Sequence, residues 1–479
     1  MNILSRYRPR YVRALVYMFQ ASEYDVRDYL AWVHRTSDFA HVEKRKNLVW
    51  STKAVALYTL TWLMVLAWVV GVMSFVGSTG SDVPLIVGAL AVLISPFLLP
   101  YAILVPLFFL EVGQWPIEAY LVARARRTIR ASKATKIAIA GSYGKTSMRE
   151  ILKEVLSGGS PGNAVKKVAS PPGSYNTPLG IAKFVQSLAG DEDILIFEFG
   201  EYYSGDIRKL CEIVQPDIGI ITGVNEAHLA KFKTLESTTD TIFEIAAFVD
   251  PQNLYLNGEN ERIRKRYKSG NVLYSHDGVL GWHVSNARTD LSGTTFTLSN
   301  GISTFRVASK LLGLHSVGPL VTALHIAMKF DLTVAQIERG IARTKPFSHR
   351  LEPKQWAEGV TFLDDSYNGN PDGVAAVVAF IAKLSGRRFY ITPGLVEAGP
   401  RTPEVHEEIG RMLAEAGIEK VVLIRNSVTP HIERGLKKAG FKGELLRYDD
   451  MPGCLAAIRT MTVPGDIVLV QNDWPDQYA

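Results

Sequence analysis

Cysteine is almost missing from this chain of 479 residues: Cys211 and Cys454 stand alone and far apart. That excludes a disulfide framework or a cysteine-based metal site and fits a reducing compartment. Repeats and low-complexity tracts are missing as well, which leaves no case for a solenoid or a disordered tail. The chain carries a net charge of +6, yet no basic stretch runs through most of it. Residues 1–53 hold ten Lys/Arg against five Asp/Glu, and residues 111–136 hold six against two, so everything after 136 is close to neutral. A nucleic-acid partner is excluded on that distribution.

Two long stretches have no charge at all. "AVALYTLTWLMVLAWVVGVMSFVG" (54–77) and "LIVGALAVLISPFLLPYAILVPLFFL" (85–110) are each long enough to cross a hydrocarbon core, which takes roughly 20 apolar residues. Pro96, Pro100 and Pro106 should kink the second. Basic residues on both outer flanks predict a multi-pass protein of the cytoplasmic membrane. Its two helices would be joined by a tight turn outside, with both termini and the catalytic part in the cytoplasm. Membrane lipid is then a partner. Residues 1–53 read either as amphipathic helices lying at the headgroups or as a plain cytoplasmic helical hairpin, and 111–135 as a basic linker helix.

The rest predicts an α/β architecture. From 136 to 345, apolar runs ("KIAIA", "DILIFEFG", "DIGIITGV", "NLYLN") alternate with helical patterns, the signature of a mainly parallel sheet. Residues 282–308 read as antiparallel edge strands, and helices are expected near 316–329 and 333–343. After a linker at 343–353, a second, smaller Rossmann-like α/β domain fills 346–479.

"IAIAGSYGKTSMREILKEVL" (137–156) runs from a strand through a Gly-rich turn into a helix whose apolar face is Met148, Ile151, Leu152, Val155 and Leu156. Backbone N–H groups at such a helix N-terminus suit phosphate oxygens. Gly141, Ser142, Tyr143, Gly144 and Ser147 would form the cradle, Lys145 would meet the β/γ oxygens, and the Thr146 hydroxyl would face Mg²⁺. Ile139, however, stands where the usual spacing has its first glycine. Glu198 sits in a strongly apolar strand, where a lone carboxylate is costly. It suits either a cation ligand or a buried salt bridge.

A loop of this form without the early glycine resembles that of the Mur ligases, ATP-dependent enzymes that form amide bonds in cell-wall precursors. "FEFGEYYSGDI" (197–207), "ITGVNEAHL" (221–229), "LNGEN" (256–260), "LLGLHSVGPLVTALHIA" (311–327) and "LDDSYNGNPDG" (363–373) are similar to successive family motifs, in order. The last, with "PGLVEAG" (393–399), is most similar to members that add D-alanyl-D-alanine to a muramoyl tripeptide. The resemblance implies ATP and Mg²⁺, a muramoyl-peptide carboxylate as acceptor, and D-alanyl-D-alanine or a similar amine as donor. It implies Lys145, Glu198 and His228 as catalytic residues, with Thr146, Glu198 and His228 at metal. Asn257 and His315 would meet the adenine, while Arg350 and Asp365 would reach the nucleotide from the second domain. Asn176, Asn225, Glu226, Tyr367, Asn368 and Asn370 would line the substrate cleft.

Three departures stand out. Ile242 occupies the place of the family's carbamylated lysine, with Glu244 retained and Lys231 or Lys233 as conceivable stand-ins. Ser316 replaces an expected asparagine, and Gln471, Asn472 and Asp473 follow the last strand in place of a Lys-Gly-Ser-Arg segment. The family's UDP-sugar domain also has no counterpart here, its place being taken by the hydrophobic pair. A lipid-linked or non-murein acceptor (polyglutamate-like) and a catalytically silent nucleotide-binding membrane scaffold are therefore the competing expectations.

Overall fold

The computed structural model describes residues 3–43, 47–77, 82–158, 166–173, 175–226, 232, 234–367, 369–396 and 398–474. The chain divides into two compact units, residues 1–120 with 474–479, and residues 121–473.

In the first unit, α1 (Tyr11–Ala21) buries eight of its eleven residues. α2 (Val26–Arg35) starts where the Asp25 carboxylate accepts from the Arg27 and Asp28 amides. Phe19 stacks on Tyr29 with ring centres 3.5 Å apart. These helices share one apolar core with Leu57 of α3 (Thr52–Gly77) and with Ile103 and Leu107. Leu15, Val16, Met18 and Phe19 are wholly enclosed by protein.

The second hydrophobic run is not one helix. α4 (Asp82–Ala102) ends at Ile103, and α5 (Leu104–Ala131) joins the end of the run to the basic segment. Pro96 and Pro100 lie inside α4 and cannot donate to the carbonyls four residues back. Ser95 Oγ compensates at the first, donating to Val92 O at 2.9 Å. Two tyrosines bind other carbonyls of the helix: Tyr7 Oη donates to Leu93 O at 2.7 Å and Tyr29 Oη to Pro100 O at 3.1 Å.

The second unit holds two sheets. The larger has ten strands in the order β10-β9-β8-β7-β6-β5-β4-β1-β3-β2. They are β1 (Thr135–Ala140), β2 (Val168–Ala169), β3 (Ile194–Glu198), β4 (Ile218–Ile221), β5 (Leu254–Asn257), β6 (Val272–Ser275), β7 (Gly278–Val279), β8 (Trp282–Asp290), β9 (Gly293–Ser299) and β10 (Thr304–Ser309). β1 to β6 pair in parallel, and β7 to β10 extend the edge antiparallel. α6 (Lys145–Ser157) and the helices Val317–Lys329 and Val334–Arg343 bury one face of this sheet; α7 (Pro178–Gln186) and α8 (Asp206–Val214) bury the other.

The smaller sheet runs β11-β12-β16-β13-β14-β15, from β11 (Glu352–Lys354), β12 (Thr361–Asp365), β13 (Arg388–Thr392), β14 (Lys420–Ile424), β15 (Glu444–Tyr448) and β16 (Ile467–Gln471). All its pairs are parallel except that of β11. In open sheets of this kind ligands bind beyond the carboxyl ends of the strands. β3 and β12 end there in Glu198 and Asp365, and β1 and β4 lead there into Gly141 and the loop of Asn225.

Candidate active site

The missing early glycine has a simple cause. Ile139 is a core residue of β1, fully buried between Glu198 of β3 and Ile220 of β4, and the strand continues through Ala140 before the loop begins. At Gly141 (φ +143°) a Cβ would come 2.3 Å from Thr222 Oγ1, and Gly144 has φ +75°, so neither position takes a side chain cheaply. The loop is pinned from β4: the Ser142 amide donates to Gly223 O at 2.8 Å and the Thr222 amide to Ala140 O at 3.0 Å. Tyr143 lays its ring over Gly223, where a Cβ would be 2.2 Å away. Burial holds the Tyr143 hydroxyl well above its ordinary pKa. The Ser142 Oγ is buried with no partner among the described residues. An orphaned hydroxyl in a glycine-bounded loop at a helix N-terminus is what a phosphate group would satisfy.

Behind the loop lies a charged cluster. Lys145 Nζ donates to Gly141 O and meets Glu201 at 2.9 and 3.2 Å. Thr146 Oγ1 donates to Glu198 at 3.1–3.2 Å, and Arg149 approaches the same carboxylate at 3.3 Å. Arg149 also forks onto Glu150 at 2.7 Å and donates to Gly173 O at 2.5 Å. Glu198 and Glu201 are 4% and 1% exposed, so neither carboxylate could stand there unpaired. Glu198 thus has the buried salt bridge and, through Thr146, an all-oxygen pair suited to a hard divalent cation.

Beyond the loop opens a cavity of about 630 Å³ lined from both sheets. The larger sheet contributes Tyr143, Gly144, Ser147, Asn257 and His315; the smaller contributes Arg350, Asp365, Tyr367 and Asn370. Gly141, Ser142, Lys145, Thr146, Glu198 and Asn176 do not line it. Asn257 is committed to the wall, donating to Thr222 O at 2.8 Å and accepting from the Glu259 amide at 3.0 Å. His315 faces the cavity, and burial by the surrounding walls brings its pKa down to about 4. Ser316, in place of the asparagine, turns back on its own loop, donating to Gly313 O at 2.7 Å.

Across the cavity the Arg350 guanidinium lies 4.9 Å from the Tyr367 ring centre. Burial brings the Arg350 pKa down, against the opposing pull of Asp365, Tyr367 and Glu198. Asp365 accepts from Gln471 Nε2 at 2.7 Å and from the Leu351 amide at 3.1 Å, and its burial raises its pKa to about 6. Gln471 is thereby a support for Asp365, and Asn472 is buried beneath Gly369. Asn225 joins the two domains through Asn370 and Asp372, and Glu226 pairs with Arg401. Asn176 packs its side chain on Gly200 and accepts from the Gly200 amide at 2.9 Å, two residues past Glu198. His228, Asn368, Lys231 and Lys233 lie outside the described residues.

Two residues of the sequence reading take other parts. Ile242 is fully buried in the apolar core against α8. Glu244 accepts from the Gly205 and Arg208 amides, both at 2.9 Å, and so caps the α8 N-terminus. Glu201 and Arg149 were not singled out in the sequence. Arg149 gave a faint signal, a charge flanked by Met148 and Leu152 on the buried side of an amphipathic helix; Glu201 gave none beyond its place three residues after Glu198. His349, Glu352 and Asp364 also converge, but Lys354 already occupies that carboxylate pair.

Fold and site together define a phosphate-loop nucleotide-binding protein whose loop faces a second, Rossmann-like domain. The chain belongs to the Mur ligase family: the Mur ligase middle domain matches residues 139–327 and the Mur ligase glutamate ligase domain residues 349–471. It is 28% identical over 378 residues to UDP-N-acetylmuramoyl-tripeptide–D-alanyl-D-alanine ligase of Mycobacterium tuberculosis H37Rv, covering 74% of this chain and 73% of that one. To the enzyme of that name from Escherichia coli K12 it is 27% identical over 303 residues, covering 61% and 64%. Among solved structures, MurF from Acinetobacter baumannii superposes with a TM-score of 0.65 at 21% identity, covering 75% of this chain and 78% of that one. MurF ligase from Thermotoga maritima in complex with ADP gives 0.62 at 23%, covering 74% and 80%. At these identities the structures show the shared fold.

Proposed function

We propose that this protein is a membrane-anchored, ATP-dependent ligase that joins D-alanyl-D-alanine to the terminal carboxylate of a UDP-linked muramoyl tripeptide. The observation that carries the reading is the convergence of Tyr143, Gly144 and Ser147, from the phosphate loop and the start of its helix, with Arg350 and Asp365 of the second domain around one cavity. The curated relatives named above bear the name of this reaction.

A carboxylate is a poor electrophile, so it must first take the γ-phosphoryl group of ATP to become an acyl phosphate. The amine of the dipeptide then attacks the acyl carbon, and phosphate leaves with the C–O electron pair. Lys145 would meet phosphate oxygens from the loop, and the backbone amides of α6 would hold them in place. Thr146 and Glu198 would hold a divalent cation, which when bound supplies charge neutralisation between the anionic carboxylate and nucleotide. Arg350 would add positive charge from the opposite wall, and Asp365 would accept from a nucleotide hydroxyl. The Asn225–Asn370 and Glu226–Arg401 contacts would keep the domains together over the acyl phosphate, limiting its hydrolysis. His228 is assigned to the metal or the γ-phosphate on resemblance alone.

The anchor rests on α3 and the α4–α5 run. Their apolar stretches are only 11% and 22% buried, which supports a place in a membrane over one in a protein core. Leu63, Met73, Leu85, Leu93 and Phe108 are each more than half exposed. At 1.5 Å per residue, 26 residues of α3 reach about 39 Å, more than the ~30 Å hydrocarbon core. Such an anchor also favours a lipid-linked form of the acceptor as second substrate, since both partners would then share one surface. Comparing turnover of UDP-linked and lipid-linked tripeptide separates the two; activity on the UDP-linked form alone removes the lipid-linked reading.

A further inference from the structure

The charges around the phosphate loop are unusually even for a site that is to receive a nucleotide. Lys145 and Arg149 are the cations packed against it. Glu201 is bound to Lys145, and Glu198 and Glu150 are bound to Arg149. Arg350, which faces Glu198 from the second domain, is itself opposed by Asp365. Glu201 is the unusual member. It is 1% exposed and spends both oxygens on Lys145 Nζ. An ammonium group has three protons. Gly141 O takes one and the Glu201 carboxylate at least one, so at most a single donor is left for a phosphate. If Lys145 swung fully onto the nucleotide, Glu201 would be left buried without a partner, which is strongly unfavourable.

We propose that Glu201 is a positioning residue that holds Lys145 against Gly141 and cancels its charge, so that the loop accepts a nucleoside triphosphate only together with a divalent cation. Among the described residues metal-free triphosphate meets no net positive charge behind the loop, and it is repelled by the Glu198 and Glu201 carboxylates at short range. With the cation bound between phosphate and Glu198, the repulsion is removed and the one free proton of Lys145 suffices. The inference rests on the assignment of ATP to this loop.

The test is ATP affinity of the full-length protein in detergent, measured by calorimetry with excess Mg²⁺ and again with EDTA. For the unaltered protein, chelation should weaken binding at least tenfold. Glu201→Gln, which keeps the shape and removes the charge, should bind metal-free ATP about tenfold more tightly and lose most of that discrimination. Glu201→Asp should retain it. Glu201→Gln should leave the affinity for ATP with excess Mg²⁺ within about twofold, whereas a merely structural role would weaken binding both with Mg²⁺ and with EDTA. Should the Gln variant not fold, Glu201→Ser removes the same charge and carries the same expectation. An unchanged Mg²⁺/EDTA ratio in the neutral variant overturns the role of Glu201 while leaving ATP binding in place. Absence of ATP binding by the unaltered protein under both conditions overturns the loop assignment and the inference with it.

Discussion

Asn225, in the loop after β4, donates from its one amide nitrogen to Asn370 Oδ1 at 2.9 Å and to Asp372 Oδ2 at 2.8 Å. Asn370 in turn caps the helix Pro371–Ile381 by accepting from the Gly373 amide at 2.9 Å. A loop of the nucleotide-binding sheet is thereby tied to the N-terminus of a helix in the second domain, and burial raises the Asp372 pKa beside it. Asn225→Ala should remove the tie while sparing both cores. The expected result is a several-fold rise in KM for ATP and a larger share of ATP hydrolysed without ligation, read as phosphate released per amide formed.

Lys145→Ala should lower ligation by two to three orders of magnitude, as loss of a charge stabiliser at a transferring phosphoryl group does. It should also destabilise the fold by about 3–5 kcal/mol, because Glu201 is left buried and unpaired. Lys145→Met combined with Glu201→Gln should recover most of the thermal midpoint and none of the activity. Recovery of activity in the double variant would remove Lys145 from the mechanism.

Asp365 gives a pH signature. Burial lifts its pKa to about 6 from an ordinary 3.8, so the folded protein holds this proton more tightly than the unfolded chain. Between about pH 4 and 6 its contribution to stability therefore falls as pH rises, and below pH 4 it is constant. Ionised Asp365 is the acceptor assigned to the nucleotide, so kcat/KM for ATP should drop below about pH 6. Asp365→Asn should lose that acidic limb and flatten the corresponding change in thermal midpoint. Neutral His315, with its pKa brought down to about 4, should add no limb above pH 5.

Glu244→Ala should uncap α8 and cost about 1–2 kcal/mol in unfolding free energy. Turnover at saturating Mg²⁺ should change by less than threefold, since both oxygens of Glu244 are engaged with backbone amides. A large loss of activity with an unchanged midpoint would instead mark Glu244 as a metal ligand.

The parts of the fold legible in the sequence are those with a local cause. β1 and α6 follow from an apolar strand, two obligatory glycines and a helical stripe, and the antiparallel edge at 282–308 from alternation and turn residues. The hydrophobic pair was legible as lack of charge. Less legible were features made by distant residues. The carbonyl of Pro100, just before the break at Ile103, is bound by Tyr29, far away in sequence. The Lys145–Glu201 pair exists because β3 lies beside β1, a fact of topology. Arg149, 3% exposed, was marked in the sequence only by its place among apolar residues of the helix. Ile242 was read as a lost ligand, while its packing shows a core residue and Glu244 as its neighbour's cap.

The most direct test of the account is ADP release by the detergent-purified protein with ATP, Mg²⁺, D-alanyl-D-alanine and UDP-linked muramoyl tripeptide, with mass spectrometry of the product. The account predicts ADP formed only when both components are present, in equal amount to a UDP-linked muramoyl pentapeptide. ADP released without either component, or ATP bound with no ligated product from UDP-linked or lipid-linked tripeptide, would contradict it.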